Sequence, residues 1–200
     1  MRQIERTPRS ELELSRLTDW TMKHAAMVRG SINATLLRGD GYNFLNLGYY
    51  LERGDATARL MDVKYYVLLP RAGYVGTGAD SDQWMMLLRA LWSNRAFHRA
   101  CGGEITAAKI AHFLILNPQC PRSLITCVAG ANNHLSRVAK LYGRPTEAQS
   151  LATALQALLD VAAPDSIFEE GLHDFLTRFI GLTADLDQSV NDTCLSGDLA

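Results

Sequence analysis

Apolar residues recur along this chain every three or four positions, as they do on the buried face of an amphipathic helix. The clearest example is the set Leu124, Val128, Ala131, Leu135 and Val138. The spacing predicts seven helical segments, which begin near residues 10, 42, 80, 106, 121, 146 and 166. Amphipathic helices joined by short loops are typical of an antiparallel bundle. We therefore expect an all-α fold of about seven helices in a single domain of residues 1–200.

Residues that favour helix ends support these segments. Three pairs have the spacing of a capping box, namely Ser10 with Glu13, Asp80 with Gln83, and Ser166 with Glu169. Pro121 suits the first turn of the fifth helix, while Thr106 and Thr146 open the fourth and the sixth. The glycine-rich stretch of residues 71–80 lacks the Gly-Lys-Ser/Thr ending of a phosphate-binding loop and follows no strand. It therefore predicts a flexible connection.

Composition agrees with a helical, globular chain. Leu and Ala together number 53, against 16 for Val and Ile, and β-branched residues lose more side-chain freedom in a helix. The net charge of −1 gives no strong field for a nucleic acid or a membrane surface. No apolar run reaches the ~18 residues of a membrane span, and charged residues interrupt any signal-peptide pattern at the N-terminus. We expect a cytoplasmic protein with neither a nucleic-acid nor a membrane partner.

The charge is unevenly distributed. Residues 1–100 carry 14 basic and 10 acidic side chains, a net of +4, and residues 101–200 carry 6 and 11, a net of −5. Either the two halves attract each other within the fold, or the first half offers a basic surface to an anion or an acidic partner.

Cysteine and histidine positions predict neither a metal site nor a cofactor. No C-x-x-C pair occurs, and we expect Cys120 and Cys127 to be small buried hydrophobes. Glu170 and His173 form a single E-x-x-H, whereas a di-iron bundle needs two such motifs, so a helix-surface pair is expected. The other histidines fall singly on helices, where core or surface roles are expected: His24, His98, His112 and His134.

The second helix carries a row of polar side chains beside its apolar face. At three- and four-residue spacing the row is Leu45, Gly48, Glu52, Asp55, Arg59, Asp62, Tyr66 and Leu69. Because its ends are apolar, we expect its charged centre to be semi-buried and therefore paired or hydrogen-bonded. Arg59 can reach Asp55 and Asp62, but the four charges sum to −2. The candidates for a positive neighbour on another helix are Arg89, Arg95 and Arg122.

Two interpretations of this row are open. One is an ion-pair network that fixes the register of the helices, and the other is a site for a ligand, metal or partner. Gly48 and Gly54 leave gaps through which another backbone or a ligand could approach. Glu52 and Arg53 lie about 100° apart around the helix axis, so they cannot act on one target as a simple pair.

The residues of this helix resemble the alpha-E family, all-helical bacterial proteins named for a Glu-Arg helix motif. The similarity runs from Gly41-Tyr42 through Leu51-Glu52-Arg53 to Asp62-Val63-Lys64-Tyr65. It continues in the blocks Asp82-Gln83-Trp84, Leu87-Leu88-Arg89, Phe113-Leu114 and Pro121-Arg122-Ser123. It covers about Leu17 to Leu186 and corresponds to the C-terminal portion of the family, whose members usually have a further segment upstream. Gly54 stands where the family usually has Ala.

The resemblance implies a cellular context but no catalytic residue. Alpha-E proteins are encoded beside, or fused to, ATP-grasp enzymes and transglutaminase-like proteins, which implies such partners and a role in peptide ligation or modification. The candidate ligand or partner residues are Glu52, Arg53, Asp55, Arg59, Asp62 and Tyr66. The candidate supporting or anion-binding residues are Gln83, Trp84, Arg89, Arg122 and Ser123. Arg122 and Ser123 either hold an anion at a helix start or simply begin that helix.

Three functions remain as hypotheses. The first is an accessory or binding component of an ATP-grasp- or transglutaminase-linked system, without catalysis of its own. The second is an enzyme that uses Glu52, Asp55 and Asp62 on a cation or an amine. The third is a purely structural bundle. None of the three calls for a cofactor.

Overall fold

The computed structural model describes residues 14–67, 78–102, 105–162, 167 and 171–192. These residues form eight helices and contain no strand. The helices are α1 (Leu14–Thr35), α2 (Asp40–Val67), α3 (Gly78–Ala90), α4 (Asn94–Cys101), α5 (Ala107–Leu116), α6 (Leu124–Tyr142), α7 (Glu147–Asp160) and α8 (Leu172–Val190). The prediction of an all-α helical bundle is confirmed, with one helix more than the seven expected.

Helix α4 is the one that the periodicity did not predict. Only Phe97 among its eight residues is buried, and a single apolar position creates no repeat. The chain breaks before it at Trp92, which has a φ of 55° and is 74% exposed. The N–H of Ser93 then donates to the carbonyl of Leu88. This bond caps the C-terminus of α3, and α4 starts in a different direction.

Helix ends follow the capping residues in most places. Thr106 accepts a hydrogen bond from the N–H of Lys109, and the N–H of Thr146 donates to Oε1 of Gln149 at 3.1 Å. Both predicted helix starts are confirmed. Gly143, with a φ of 71°, ends α6 in the left-handed conformation that glycine adopts at low cost.

Several predicted helix starts differ from the structure, most of all that of the last helix, which begins at Leu172 after the N-cap Gly171 and not near Ser166. Pro121 is not in the first turn of α6, because Ser123 is the N-cap and the helix begins at Leu124. Ser is the better cap, since its hydroxyl accepts the N–H of Thr126. Helix α3 begins at Gly78, two residues before Asp80. The Ser10–Glu13 and Ser166–Glu169 pairs, the Asp80 side chain and residues 71–77 of the glycine-rich stretch lie outside the described residues.

The chain divides into two compact units, Met1–Tyr42 and Asn43–Ala200. In the first unit, the Trp20 and His24 rings of α1 stack with centroids 3.8 Å apart, while Leu14, Met27 and Val28 are exposed. Within the described residues, no helix has both the length and the apolar character needed to cross a membrane.

The core of the second unit is built from the apolar faces of its helices. All five positions of the α6 repeat, from Leu124 to Val138, are at most 4% exposed, as the spacing predicted. Phe97 and Phe113 meet edge to face across α4 and α5, with centroids 5.4 Å apart. Lys64 is also buried, and its Nζ lies 4.2 Å from the centroid of the buried Trp84 ring. This cation–π contact joins α2 to α3.

Helices α2 and α6 pack closely at two glycines. A Cβ placed on Gly54 would lie 3.3 Å from Cβ of Cys127, and one placed on Gly130 would lie 2.6 Å from the Tyr50 ring. Gly48, on the same helix as Gly54, has open space around it. Of the two gaps expected in α2, the one at Gly54 is therefore filled by α6 and the one at Gly48 is open.

A buried polar pair lies beside this contact. His134 of α6 and Asn43 of α2 are 6% and 2% exposed, and His134 Nδ1 lies 2.9 Å from Asn43 Oδ1. The His134 ring also stacks on Tyr50. Burial, and to a lesser degree the charge of Arg137, lower the pKa of His134 below its usual value. His134 thus has the core role that its isolated position predicted.

The glycine contact predicts different outcomes for two equivalent substitutions in α2. Gly54→Leu should destabilise the protein by about 1–3 kcal/mol or more, because the side chain overpacks the contact with α6. Gly48→Leu should be neutral or stabilising by up to about 1 kcal/mol, because leucine is the better helix former and its Cβ meets no neighbour at this position. Urea denaturation of both variants measures the difference. Equal losses of stability would contradict this account of α2–α6 packing.

Burial of His134 predicts loss of stability in mild acid. Below pH 6.5, the ordinary pKa of histidine, the unfolded chain binds a proton more readily than the folded chain, in which the pKa of His134 is lower. This contribution is therefore fully present above pH 6.5 and is lost as the pH falls towards the lowered folded pKa. Urea titrations at pH 7.5 and pH 5 should show the loss in the wild type and in His98→Gln, an exposed control. The loss should be much smaller in His134→Gln, and an undiminished loss there would assign the effect to other groups.

Candidate functional site

Helices α2 and α8 enclose a cleft of about 280 Å³ along the polar row. Its lining residues are Gly48, Leu51, Glu52, Asp55 and Arg59 from α2, and Thr183, Ala184 and Asp187 from α8. The small residues Gly48 and Ala184 leave space in the cleft. The carboxylates of Glu52, Asp55 and Asp187 and the guanidinium of Arg59 line it. The cleft therefore carries a formal charge of −2, which suits a cationic or amine group.

Asp55 and Arg59 form an ion pair within this cleft. Arg59 Nε donates to Asp55 Oδ2 at 2.7 Å across one helical turn. The bond, together with the carboxylate charge, raises the pKa of Arg59. The Arg59 side chain is 58% exposed and that of Asp55 is 30% exposed, and Glu52 is exposed as well. Asp55 and Asp62 are half-buried, as expected for the centre of the row, whereas Glu52 and Arg59 are exposed and line the cleft.

Asp62 lies two helical turns beyond Asp55 and does not line the cleft. Its Oδ1 is 2.6 Å from Nδ1 of His173 in the first turn of α8, and the two side chains are 23% and 28% exposed. Asp62 and His173 meet at one end of the cleft and Gly48 and Asp187 at the other, so α2 and α8 run antiparallel.

His173 takes the position for which an arginine was expected. Among the described residues, no ion pair joins Arg89, Arg95 or Arg122 to the polar row. The sequence offered His173 only as part of an E-x-x-H, whose Glu170 lies outside the described residues. Its partner Asp62 is 111 residues away in the chain, so no local spacing could have identified the pair.

Glu52 and Arg53 act in different directions, as their angular separation predicted. Glu52 faces the cleft, whereas the Arg53 guanidinium stacks on the Tyr49 ring at 4.1 Å. Arg53 Nη1 also donates to the carbonyl of Pro121 at 3.0 Å. Arg53 thus fastens α2 to the turn before α6, whereas Glu52 is exposed at the cleft.

The residues offered as supporting or anion-binding do not line the cleft. Ser123 is fully buried, and its hydroxyl lies 2.7 Å from the carbonyl of Asn117 while it caps α6. Its role is therefore structural. Trp84 is buried against Lys64, Gln83 and Arg122 are half-buried, and Arg89 is exposed. The side chain of Tyr66 lies outside the described part of the chain.

A second, smaller space lies between Gly54, Cys127 and Phe179 and shares the lining residues Leu51 and Thr183 with the cleft. Its free volume is about 10 Å³, which is at the lower limit for one water molecule. Burial is the main cause that raises the pKa of the Cys127 thiol to about 12. Cys120 and Cys127 are buried, as expected, and Cys101 is half-buried, while Cys194 falls outside the described residues. A protonated, buried thiol is a poor nucleophile and a poor metal ligand.

Within the described ranges, no group of three or more His, Cys, Asp or Glu side chains is arranged to hold a metal ion. The carboxylates of Glu52, Asp55 and Asp62 therefore do not form one chelating cluster.

Comparison with known proteins identifies one family. The model of Alpha-E, described as a predicted alpha-helical domain with a conserved ER motif, matches residues 1–195. The match extends beyond the C-terminal portion that the sequence suggested and covers nearly the whole chain. Glu-Arg occurs at Glu52-Arg53 in α2, and again at residues 5–6, outside the described residues. No curated protein and no solved structure matches the chain.

The two arginines of α2 should differ in their effect on stability. Arg53→Ala should lower the free energy of unfolding by about 1–2 kcal/mol, because it removes an inter-element hydrogen bond and a cation–π contact. Arg59→Ala should leave the melting temperature unchanged, because exposed ion pairs contribute little. Thermal melts followed by circular dichroism compare the two variants. The structural role of Arg53 would be refuted if its substitution were as harmless as that of Arg59.

Proposed function

Since the chain belongs to the Alpha-E family, we propose that it is an accessory, binding component of a bacterial peptide ligation or modification system. In this proposal the protein contributes no catalysis of its own. Its partner is an ATP-grasp enzyme, a transglutaminase-like protein or both, a class taken from the family resemblance. The proposal places the protein in the cytoplasm, where ATP is available to such an enzyme.

The observation that carries the proposal is the acidic cleft between α2 and α8. It presents Glu52 of the Glu-Arg motif to solvent together with Asp55 and Asp187, while Arg53 is held by the carbonyl of Pro121. At about 280 Å³, the cleft lies at the small end of ligand pockets. It therefore suits a single lysine or arginine side chain, or a terminal amine, presented by a peptide or a partner surface.

The geometry favours binding over the two alternative functions. An enzyme that used Glu52, Asp55 and Asp62 together has less support, because Asp62 is held by His173 outside the cleft. A purely structural network also has less support, because Glu52 and Arg59 are exposed, and exposed charges contribute little to stability. A solvent-facing carboxylate in the family's motif is better explained by a partner.

The cleft can be tested with two neighbouring aspartates of α8. Asp187 lines the cleft, whereas Asp185 is exposed on the same helix and does not line it. Each substitution to Asn removes one negative charge, so the pair separates a local contact from a change in net charge. Binding to the purified ATP-grasp or transglutaminase-like protein encoded nearest in the native genome is measured by isothermal titration calorimetry.

We expect Asp187→Asn and Glu52→Gln each to weaken binding about tenfold, the loss of one charge-assisted hydrogen bond. Asp185→Asn should bind as the wild type does, and the affinity should fall with added salt. If neither Asp187→Asn nor Glu52→Gln weakened binding to either partner, the interface would not include the cleft. Failure of both candidate partners to bind the wild type would refute the proposed function.

A further inference from the structure

The cleft between α2 and α8 holds charges of both signs, and this combination narrows the class of ligand. The Nε of Arg59 is used by Asp55, but within the described residues neither Nη atom has a protein partner. We propose that the cleft binds a free basic amino acid of the lysine or arginine type, with its carboxylate on Arg59 and its two cationic groups on Glu52 and Asp187. This inference rests on the proposed function, in which the same cleft is the binding site.

The guanidinium of Arg59 is the group that would hold the ligand's carboxylate. The N–H groups at its outer end form a planar fork, which matches the two oxygens of a carboxylate. Its bond to Asp55 at 2.7 Å holds the fork at the wall of the cleft, so less side-chain freedom is lost when a ligand binds. A cleft that served only to attract cations would have no use for this fork.

The two other carboxylates of the cleft are available to cations. Glu52 is exposed and, in the described part of the chain, takes part in no hydrogen bond and no ion pair. Asp187 is also exposed, and its Oδ2 has one long contact of 3.4 Å with Nδ2 of Asn191. Because an ionised carboxylate has about four acceptor sites, each can still accept an ammonium or guanidinium group.

The register of the two helices gives the order of these groups along the cleft. Asp62 meets His173, and Gly48 precedes Asp62 by as many residues as Asp187 follows His173. Since α2 and α8 run antiparallel, Gly48 and Asp187 lie at the same level. The open space around Gly48 is therefore next to the carboxylate of Asp187.

The charged groups thus follow one another in steps of about one helical turn, which rises roughly 5 Å. The Arg59 guanidinium comes first, beside Asp55, then Glu52, and then Asp187. A basic amino acid has the complementary order, namely a carboxylate, an α-ammonium next to it, and a second cation at the end of a flexible side chain. The space at Gly48 accommodates the end of that side chain.

Simpler ligands leave one of these groups without a partner. A diamine such as cadaverine satisfies both carboxylates but brings no anion to Arg59. Norleucine has the α-ammonium and the carboxylate, but it brings no cation to Asp187. A volume of about 280 Å³ is at the small end of ligand pockets and suits one amino acid.

The test is an NMR titration of the purified protein with L-lysine, cadaverine and norleucine at low ionic strength, where exposed charges are least screened. The amide signals of Gly48 and Ala184 report occupancy of the cleft, and that of Gly143, at the end of α6, is the control. We expect lysine to bind about tenfold more tightly than either analogue, because each analogue lacks one charge-assisted contact.

Substitutions should change the preference among these ligands in different ways. Arg59→Gln removes the fork and one positive charge, so lysine should bind about tenfold more weakly and cadaverine more tightly. Asp187→Asn should weaken lysine and cadaverine but leave norleucine unchanged. Asp185→Asn, outside the cleft on the same helix, should behave as the wild type does. Circular dichroism confirms the fold of each variant.

Four results would each overturn the inference: no binding of lysine, cadaverine or norleucine bound as tightly as lysine, unchanged lysine binding in Arg59→Gln, or Nα-acetyl-lysine bound as tightly as lysine. The last would assign the cleft to the carboxy-terminal lysine of a peptide. If lysine fails while a partner protein still binds through Glu52 and Asp187, this inference falls and the proposed function stands. If lysine binds and neither partner protein does, the proposed function alone is refuted.

Discussion

The orientation of α2 within the second unit is set by its close approach to α6. Two glycines make it possible: Gly54 receives the side chain of Cys127, and Gly130 receives the ring of Tyr50. A helix that touches its neighbour through backbone has little freedom to rotate about its own axis. The rotation of α2 in turn decides which side chains point towards Pro121, which point towards α3 and which remain for α8. The buried pair His134–Asn43 and the Lys64–Trp84 contact hold the same rotation at other points along α2.

The different positions of Glu52 and Arg53 in the Glu-Arg motif follow from this fixed rotation of α2. Adjacent residues of a helix point about 100° apart, so with one side of α2 packed on α6, Arg53 points towards the turn at Pro121 and Glu52 points towards the cleft. A two-residue motif can therefore combine a structural requirement with a functional one. The acidic cleft exists because α8 crosses the outward side with Ala184 opposite Gly48, which leaves space where larger side chains would close the gap.

Regular features of this fold could be predicted from the sequence, and features that depend on packing between helices could not. The α6 repeat is long and strictly periodic, so its buried face was evident. Helix α4 was not predicted because it buries only one side chain, Phe97, and one apolar position makes no periodic pattern. The row of α2 was placed correctly along one side of its helix, but periodicity does not say how far a neighbouring helix covers that side. Glu52 and Arg59 are exposed for that reason, and Asp62 meets His173 instead of an arginine because the packing of α8 decides its partner.

The buried thiol of Cys127 at the α2–α6 contact allows local opening of this part of the fold to be measured by alkylation. Cys127 is 2% exposed, and its high pKa keeps it in the unreactive thiol form. An alkylating reagent can therefore modify it only in molecules where α2 and α6 have separated. When opening and closing are fast, the ratio of its alkylation rate to that of an unfolded peptide equals the population of the open state. The alkylation rate of Cys127 thus reports how often α2 and α6 separate.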